Sequence, residues 1–489
     1  MAKFLNFDLI ARVIELCRDD YGLLYHCSLV NWEFNRAASR MLYAHVVISP
    51  MFKPVLNLRD TSSIPENSNF PSAILSRNAS YVLVLEISGY ISPRSPPRNT
   101  IAQTIASSLL LFTSLQTVIL TPATYHEELF SPSIPLLIAR NTIPEEQGDG
   151  GPSLNLSPLA SLVVNASCTD DAHAPDLVKI SHLRKIGLVS PGRKILELLP
   201  TWLKRLEREP SRGVKELHLK ANCGSVTPGV LKAILPHIQN SVQALTLGLS
   251  YSLTNDDVFG FISQLHHLRH LELRYYWQLK QPAHPPSLPQ LRTFVVSFMH
   301  TNTVPETQAL DKWIRRAIEL SPLLEELKLV SDSDGDNSTP NDDGAQVAHD
   351  SLIDHLVKKH SIRLRVLTMT TSFVNGKALR VLFDRCGGLE EISTRVNKTV
   401  FTILRESKMA VPHLRSASFQ ICNVKRGFQV DPAVVEETMR NGPLALRNLR
   451  INGCSWQGSW KVYPDTLASE FMVARAEDKV PPWGRRQKE

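Results

Sequence analysis

The chain has 489 residues, 43% hydrophobic and 21% charged, so it can bury a sizeable core and is not globally disordered. Lys plus Arg number 54 and Asp plus Glu 47, a formal net charge of +7 with no dominant basic block, which does not point to nucleic acid. Seven cysteines, at 17, 27, 168, 223, 386, 422 and 454, never reach CxxC spacing. That pattern excludes a zinc knuckle and a disulfide framework, and fits free thiols in the cytoplasm or nucleus. No stretch approaches the roughly 18 apolar residues that span a bilayer, so no membrane partner is expected. The N-terminus lacks the apolar run and cleavage site of a signal peptide.

Residues 5–17 read LNFDLIARVIELC. Leu5, Leu9, Val13 and Leu16 recur at helical steps, and Ile10, Ile14 and Cys17 widen the stripe. This predicts an amphipathic helix with an unusually broad apolar face. Asp19-Asp20 ends it and offers a cap for the next segment. Tyr21 to Val30 carries Leu23, Leu24, Cys27 and Leu29; a third segment, Trp32 to Leu42, carries Phe34, Ala37, Ala38 and Met41. Three helices this short are below the size that supports a stable isolated core, so they lean on a partner or on the rest of the chain.

These residues resemble an F-box. Leu5 matches the opening Leu, Asp8 the acidic position, and Leu9, Ile10, Val13 and Ile14 the apolar positions. CSLVNWEF at 27–34 resembles the family's second signature through Val30 and Phe34, and Leu42-Tyr43 matches its terminal Leu-Tyr. Asn6 departs from the pattern, which has Pro there. The resemblance covers about a tenth of the chain. It implies docking on the F-box-binding adaptor subunit of a cullin-based ubiquitin ligase. The implied contacts are Leu5, Leu9, Val13, Ile14, Leu29, Val30, Trp32 and Phe34, some of which must instead form the module's own core.

Val46-Val47-Ile48 predicts a short strand, and the Pro-, Ser- and Asn-rich residues 49–78 read as loop with room for short helical turns. Beyond them one six-residue unit recurs, with apolar residues at positions one, four and six. Copies are LRKIGL at 183, VKELHL at 214, VQALTL at 242, LRHLEL at 268, LRTFVV at 291, LEELKL at 324, LRVLTM at 364, LEEIST at 389, LRSASF at 414 and LRNLRI at 446. Earlier copies are VLVLEI at 82, LQTVIL at 115 and LASLVV at 159. The mean step is about 29 residues, and the motif resembles leucine-rich repeats. Asn222, Cys422 and Cys454 fall on the position where such repeats place Asn or Cys. Helical patterns lie between copies, at 192–207, 227–238, 254–265, 307–320 and 349–359.

The expected fold is therefore α/β: a three-helix F-box-like module at 1–48, a linker at 49–80, and a curved solenoid at 81–475 with parallel strands and outer helices. Insertions are expected at 92–100, 144–153 and 331–344, and a basic tail at 476–489. Positions four and six of each unit should point into the core. The intervening positions face the concave surface, and His218, His270, Glu272, Lys328 and Arg450 are the candidate contacts for a protein substrate. Arg also recurs at position two, at 184, 269, 292, 365, 415 and 447, either as a ladder for an acidic segment or as an ordinary solvated strand start.

Other chemistry finds little footing. Counting a calcium loop from Asp332 puts Asn337 and Asp343 where Gly and Glu are required. His266, His267 and His270 lack an accompanying carboxylate motif, and no phosphate-cradling or nucleophile-elbow motif occurs. No catalytic residue, metal or cofactor is assigned. The reading is a non-enzymatic substrate-recognition subunit of a ubiquitin ligase; the alternative is an interaction scaffold with a vestigial F-box.

Overall fold

The computed structural model describes residues 6–18, 20–48, 69–89, 100–122, 130–141, 156–165, 172–208, 213–276, 284–299, 303–331, 347–422, 429–463 and 469–476. Three helices come first: α1 (Phe7–Leu16), α2 (Tyr21–Ser28) and α3 (Trp32–Leu42). Then strands alternate with helices: β1 (His45–Ile48), α4 (Phe70–Ala73), α5 (Ser76–Ala79), β2 (Val84–Gly89), α6 (Thr100–Leu111), β3 (Thr117–Pro122), α7 (Ser133–Asn141), β4 (Ser161–Asn165) and α8 (Ala174–Leu177). The middle holds β5 (Lys185–Val189), α9 (Arg193–Arg208), β6 (Glu216–Asn222), α10 (Pro228–Ile238), β7 (Ala244–Leu249), α11 (Asn255–Ile262), β8 (His270–Tyr275), β9 (Thr293–Phe298) and α12 (Val304–Ile318). The last part holds β10 (Glu326–Ser331), α13 (Asp350–His360), β11 (Val366–Phe373), α14 (Gly376–Arg385), β12 (Glu391–Val396), α15 (Val400–Glu406), β13 (Ser416–Ile421), α16 (Pro432–Asn441), β14 (Asn448–Ile451), β15 (Cys454–Val462) and β16 (Ser469–Ala476).

All the strands form one sheet in chain order. β1 to β14 pair in parallel, and β15 and β16 turn back as an antiparallel end. Every repeat copy read from the sequence lies on one of β2 to β14. The parallel part is strung on one main-chain ladder. The carbonyl of position two accepts the N–H groups of positions two and three of the next strand. Thus Arg269 O takes Arg292 N at 2.8 Å and Thr293 N at 2.9 Å, and Arg292 O takes Glu325 N and Glu326 N. The pattern runs from Ala44 O to Arg415 O, and Arg447 O closes it by accepting Gly458 N at 2.8 Å.

With that register fixed, the period-two pleat sends positions four and six of each strand to the same side. Leu217, Leu219, Leu245, Leu247, Leu271 and Leu273 are all buried, and they join one core running from Val46 to Phe471. Each fully buried leucine stabilises the fold by about 1.5–3 kcal/mol, and stacking makes that core continuous across repeats. Outer helices close it. α9 inserts Trp202, whose Nε1–H donates to Ile180 O. α12 inserts Trp313 among Phe259, Tyr275 and Phe294, with its Nε1–H on Asn255 Oδ1 at 3.0 Å. Thr254 starts α11 through a reciprocal capping box with Asp257, as its sequence suggests.

Three features differ from the sequence expectation. Within the segment expected as linker 49–80, the short helical turns α4 and α5 do more than connect, since Phe70, Ala73 and Ala79 belong to the main core. Its Asn69 donates to Leu42 O and His45 O and accepts from Val47 N, so one amide ties the end of α3 to the free edge of β1. The expected all-parallel array ends in the antiparallel β15–β16 pair, where Gly458 leaves room for the Phe471 ring. The expected repeat asparagine, Asn222, is exposed, and Cys223 takes the buried place. The register shifts there between Leu219 and Asn222, with Ala221 at φ 58°, so the side chains advance by one. Gly248 accommodates the bulge: a Cβ would lie 2.4 Å from Ala221 O.

The weak copy LEEIST has its own explanation. Thr394 occupies a core position, and its Oγ1–H donates to Ser372 O at 2.9 Å, where β11 bulges and turns a carbonyl inward. Cys17, Cys27, Cys223, Cys386, Cys422 and Cys454 form no disulfide, and burial raises Cys223 and Cys386 to about 11. The expected insertions 92–100, 144–153 and 331–344 and the tail 476–489 lie almost wholly outside the described residues. Among the described residues no helix is long and apolar enough to cross a membrane.

Two buried polar groups set the stability of the array. Arg140 on α7 donates to the carbonyls of Leu109, Phe112, Thr113, Leu115 and Ser157, satisfying the C-terminal turn of α6. Burial lowers its guanidinium to about 10, and it remains charged at neutral pH. Arg140→Met strands those carbonyls and is expected to cost about 2–4 kcal/mol, read as a lowered Tm in a thermal melt. His360, at the end of α13, is buried with neither ring nitrogen hydrogen bonded. Burial, then His355 and Lys359, lowers it from 6.5 to about 4. Between those values the unfolded chain binds the extra proton, so the neutral ring's contribution is whole above 6.5 and is lost as pH falls toward 4. His360→Leu should flatten the fall of Tm across that window.

Candidate functional site

Two surfaces stand out. The first is on the helical module, which has its own core of Ile10, Ile14, Leu24, Ala37 and Ala38, separate from that of the sheet. Phe7, Cys17, Cys27, Phe34, Met41 and Leu42 pack around it. Each helix is started by a side chain: Asn6 Oδ1 accepts from Asp8 N, Asp20 from Leu23 N, and Asn31 from Phe34 N. Asn6, which departs from the family's Pro, therefore supplies the start of α1 by capping it. Asn35 Nδ2 donates to Ser28 O at 2.7 Å and fixes the turn between α2 and α3.

The broad apolar face of α1 divides in two. Ile10 and Ile14 turn inward, while Leu9, Val13 and Leu16 turn outward. At the α2–α3 turn Leu29, Val30 and Trp32 are exposed as well, Trp32 at 77%. Of the contacts implied by the resemblance, Leu9, Val13, Leu29, Val30 and Trp32 thus lie at the surface. Ile14, at 1% exposure, is one of the members that form the module's own core instead. Phe34 is half-buried against the same core. Leu5 lies outside the described residues. Leu16 and Leu23 are exposed too, and were not among the expected contacts. Leu16 was legible, one helical step beyond Val13 on the stripe that faces out.

The second surface is the open face of the sheet, which the helices leave uncovered. Parallel register places His218, Thr246, Glu272, Val295 and Lys328 in one row. Glu216, Ala244, His270, Thr293 and Glu326 form the row beside it. Lateral bonds join the strands. Lys185 Nζ meets Glu216 at 2.7 Å, Glu216 meets His218 Nε2 at 3.2 Å, His218 Nδ1 lies 2.8 Å from Thr246 Oγ1, and Thr246 donates to Glu272 at 3.0 Å. On the next strands Thr293 donates to Glu326, and Lys328 pairs with Glu326 at 2.5 Å. Four of the expected substrate contacts, His218, His270, Glu272 and Lys328, therefore converge on β6 to β10.

His218 is the inner link of that chain and is buried, so it orders the face rather than offering a free ring. Arg450 shares the row but stands on β14, four strands beyond Lys328, and belongs to a different stretch of the face. Glu326 is also read from the sequence as facing this surface; the members not named from it are Glu216, Thr246 and Thr293, whose lateral bonds only the cross-strand register reveals. Burial lowers His218 below its ordinary value against the opposing pull of Glu216. Burial also lowers His270, against Glu272 and Glu326. Burial would raise Glu216, but its bonds to Lys185 and His218 hold it below the ordinary carboxylate range. The result is neutral imidazoles between fixed carboxylates and lysines, a face built to pair with polar groups. Among the described residues no group of three His, Cys, Asp or Glu is placed to hold a metal ion.

No family model matches the chain, and no curated protein matches it. Among solved structures it is similar to a chain in the crystal structure of the Rad7 and Elc1 complex in yeast. The identity is 15%, the match covers 87% of this chain and 91% of that one, and the TM-score is 0.39. The alternation of strand and helix, not this likeness, defines the fold.

The network on the open face has a direct readout. Glu216→Gln removes the carboxylate that favours protonated His218, so the His218 ring should titrate at lower pH in an NMR titration while His270 moves less.

Proposed function

We propose that the chain is a non-enzymatic recognition subunit. Its helical module docks on the F-box-binding adaptor of a cullin-based ubiquitin ligase, and the open face of the sheet holds a protein substrate. One observation carries the docking half. Leu9, Val13, Leu29, Val30 and Trp32 are left in water by a module that has its own core and capped helices. Apolar side chains held outward this way are what an interface uses as anchors. The F-box resemblance of the same residues supplies the class of partner. The open face supports the other half through its fixed, mixed-sign polar rows, which suit a polypeptide better than a small apolar ligand.

The chain performs no bond chemistry in this reading. It acts by proximity: with the substrate on the sheet and the ligase on the helices, an acceptor lysine meets the loaded ubiquitin at raised effective concentration.

The test is a pulldown of the full chain with the purified adaptor subunit. Wild type should be retained. Leu9→Ser with Trp32→Ser should weaken retention by on the order of a hundredfold, given about 1.5–3 kcal/mol per anchor lost, with an unchanged thermal melt. Absence of binding by the wild-type chain would leave the scaffold reading in its place.

A further inference from the structure

The leading rim of the sheet, where the strands begin, carries an anomaly unrelated to either surface above. Ile362 and Met409 lie on it at 93% and 78% exposure, among the most exposed apolar side chains of the described residues. Neither serves the core. Ile362 sits on the turn between α13 and β11, and Met409 on the turn between α15 and β13. Between them passes the turn of β12, which is Gly387-Gly388 and carries no side chain. A Cβ on Gly388 would lie 3.8 Å from Ile362 O, and one on Gly387 would lie 3.4 Å from Ala410 O. The three turns are thus in contact, and the glycines form a dip between two apolar posts. Two strand spacings, about 10 Å, separate the posts, the reach of about three residues of an extended peptide.

Positive charge surrounds the dip. Arg363, Arg385, Lys408 and Arg415 are exposed, and among the described residues none has an ion pair or a side-chain hydrogen bond. Arg365 is also here, but Glu390 neutralises it at 2.6 Å, and Glu406 is likewise taken by Arg380. The exposed acids nearby are Asp384, beside Arg385 on α14, and Glu391, in register with Ser416 next to Arg415. The position-two arginines are therefore not a uniform ladder: Arg292 and Arg365 are paired, and Arg447 turns to the carbonyls of Leu444 and Leu446. Arg184 and Arg269 are exposed on distant strands, and Arg415 is the unpaired member beside the glycine dip, where Arg363, Arg385 and Lys408 join it.

We propose that this rim docks a short acidic segment of a partner protein bearing aliphatic side chains, which seat between Ile362 and Met409 while its carboxylates meet Arg363, Arg385, Lys408 and Arg415. The charge selects an anion, and the posts select its apolar residues. A nucleic-acid strand fits less well, because these posts are aliphatic and offer no ring on which bases stack. The site does not involve the helical module or the open face, so it stands whether or not the ligase reading does.

The test uses the full chain and a fluorescein-labelled peptide of aspartates with leucine at every third position, followed by polarisation. Binding should be saturable and weakened by salt. Arg363→Glu with Arg415→Glu should reduce affinity about tenfold or more, the effect of some 1.4 kcal/mol. Ile362→Ser with Met409→Ser should erase the preference for this peptide over one with serine in place of leucine. Both pairs are on the surface, and a thermal melt verifies that each variant is folded. The proposal is overturned if wild type does not bind the peptide, or if charge reversal leaves affinity unchanged. Equal binding of the serine peptide, or tighter binding of oligo-dT, overturns it too.

Discussion

The structure depends on one repeated interaction: a position-two carbonyl that accepts two N–H groups from the next strand. It recurs from Ala44 to Arg415 with acceptor distances near 2.9 Å. Because the rung falls at the same place in each unit, every strand enters the sheet in the same register, and a side-chain period of two then sorts all of them at once. A slip of one residue would bring the leucines of positions four and six into water. The leucines and the rungs therefore enforce each other, and neither needs a conserved spacing between units. That tolerance explains how steps as unlike as those from LRHLEL to LRTFVV and from LEELKL to LRVLTM coexist in one sheet: the extra residues leave between rungs.

Much of this was legible because burial at positions four and six is a strong constraint. Leu217 and Leu219 could be assigned to the core from their spacing alone, and Thr254 to a helix start from the acids that follow it. The polar architecture was less legible, because its partners are far apart in the chain. Arg140 belongs to no motif in the sequence, yet it is buried and serves the carbonyls of another helix. Asn69 sits in a segment of loop composition, and only the fold brings its amide to both Leu42 and His45. The bulge that exchanges Asn222 for Cys223 depends on a backbone φ at Ala221 that no side-chain pattern announces. On the open face, His218 and Glu272 were visible as alternate positions. Thr246 holds the same alternate position on the strand between, but that its hydroxyl joins the two could not be read from the sequence.

The helical module follows a different rule. A single helix, α1, carries enough apolar surface for two faces, and its own small core uses only the Ile10–Ile14 stripe. The sequence could show the width of that apolar band but not where it divides, because Leu9 and Ile10 are equally apolar and the choice belongs to α2 and α3. The cost of leaving Leu9, Val13 and Leu16 in water is borne by a unit with a core of five residues, which makes the module the least self-sufficient part of the chain.

The antiparallel pair at the far end has a consequence for how such a protein changes length. A parallel array is a polymer with a head and a tail, and its last strand normally presents the same acceptors as every other. Here Arg447 O is spent on Gly458, and Phe471 lies over that glycine, so the run of parallel rungs gives way to an antiparallel pair of different hydrogen-bond pattern. Within the parallel part both faces of every junction are rungs of the same kind, so a unit inserted or removed there leaves the ladder continuous, whereas the junction of β14 with β15 does not repeat that geometry.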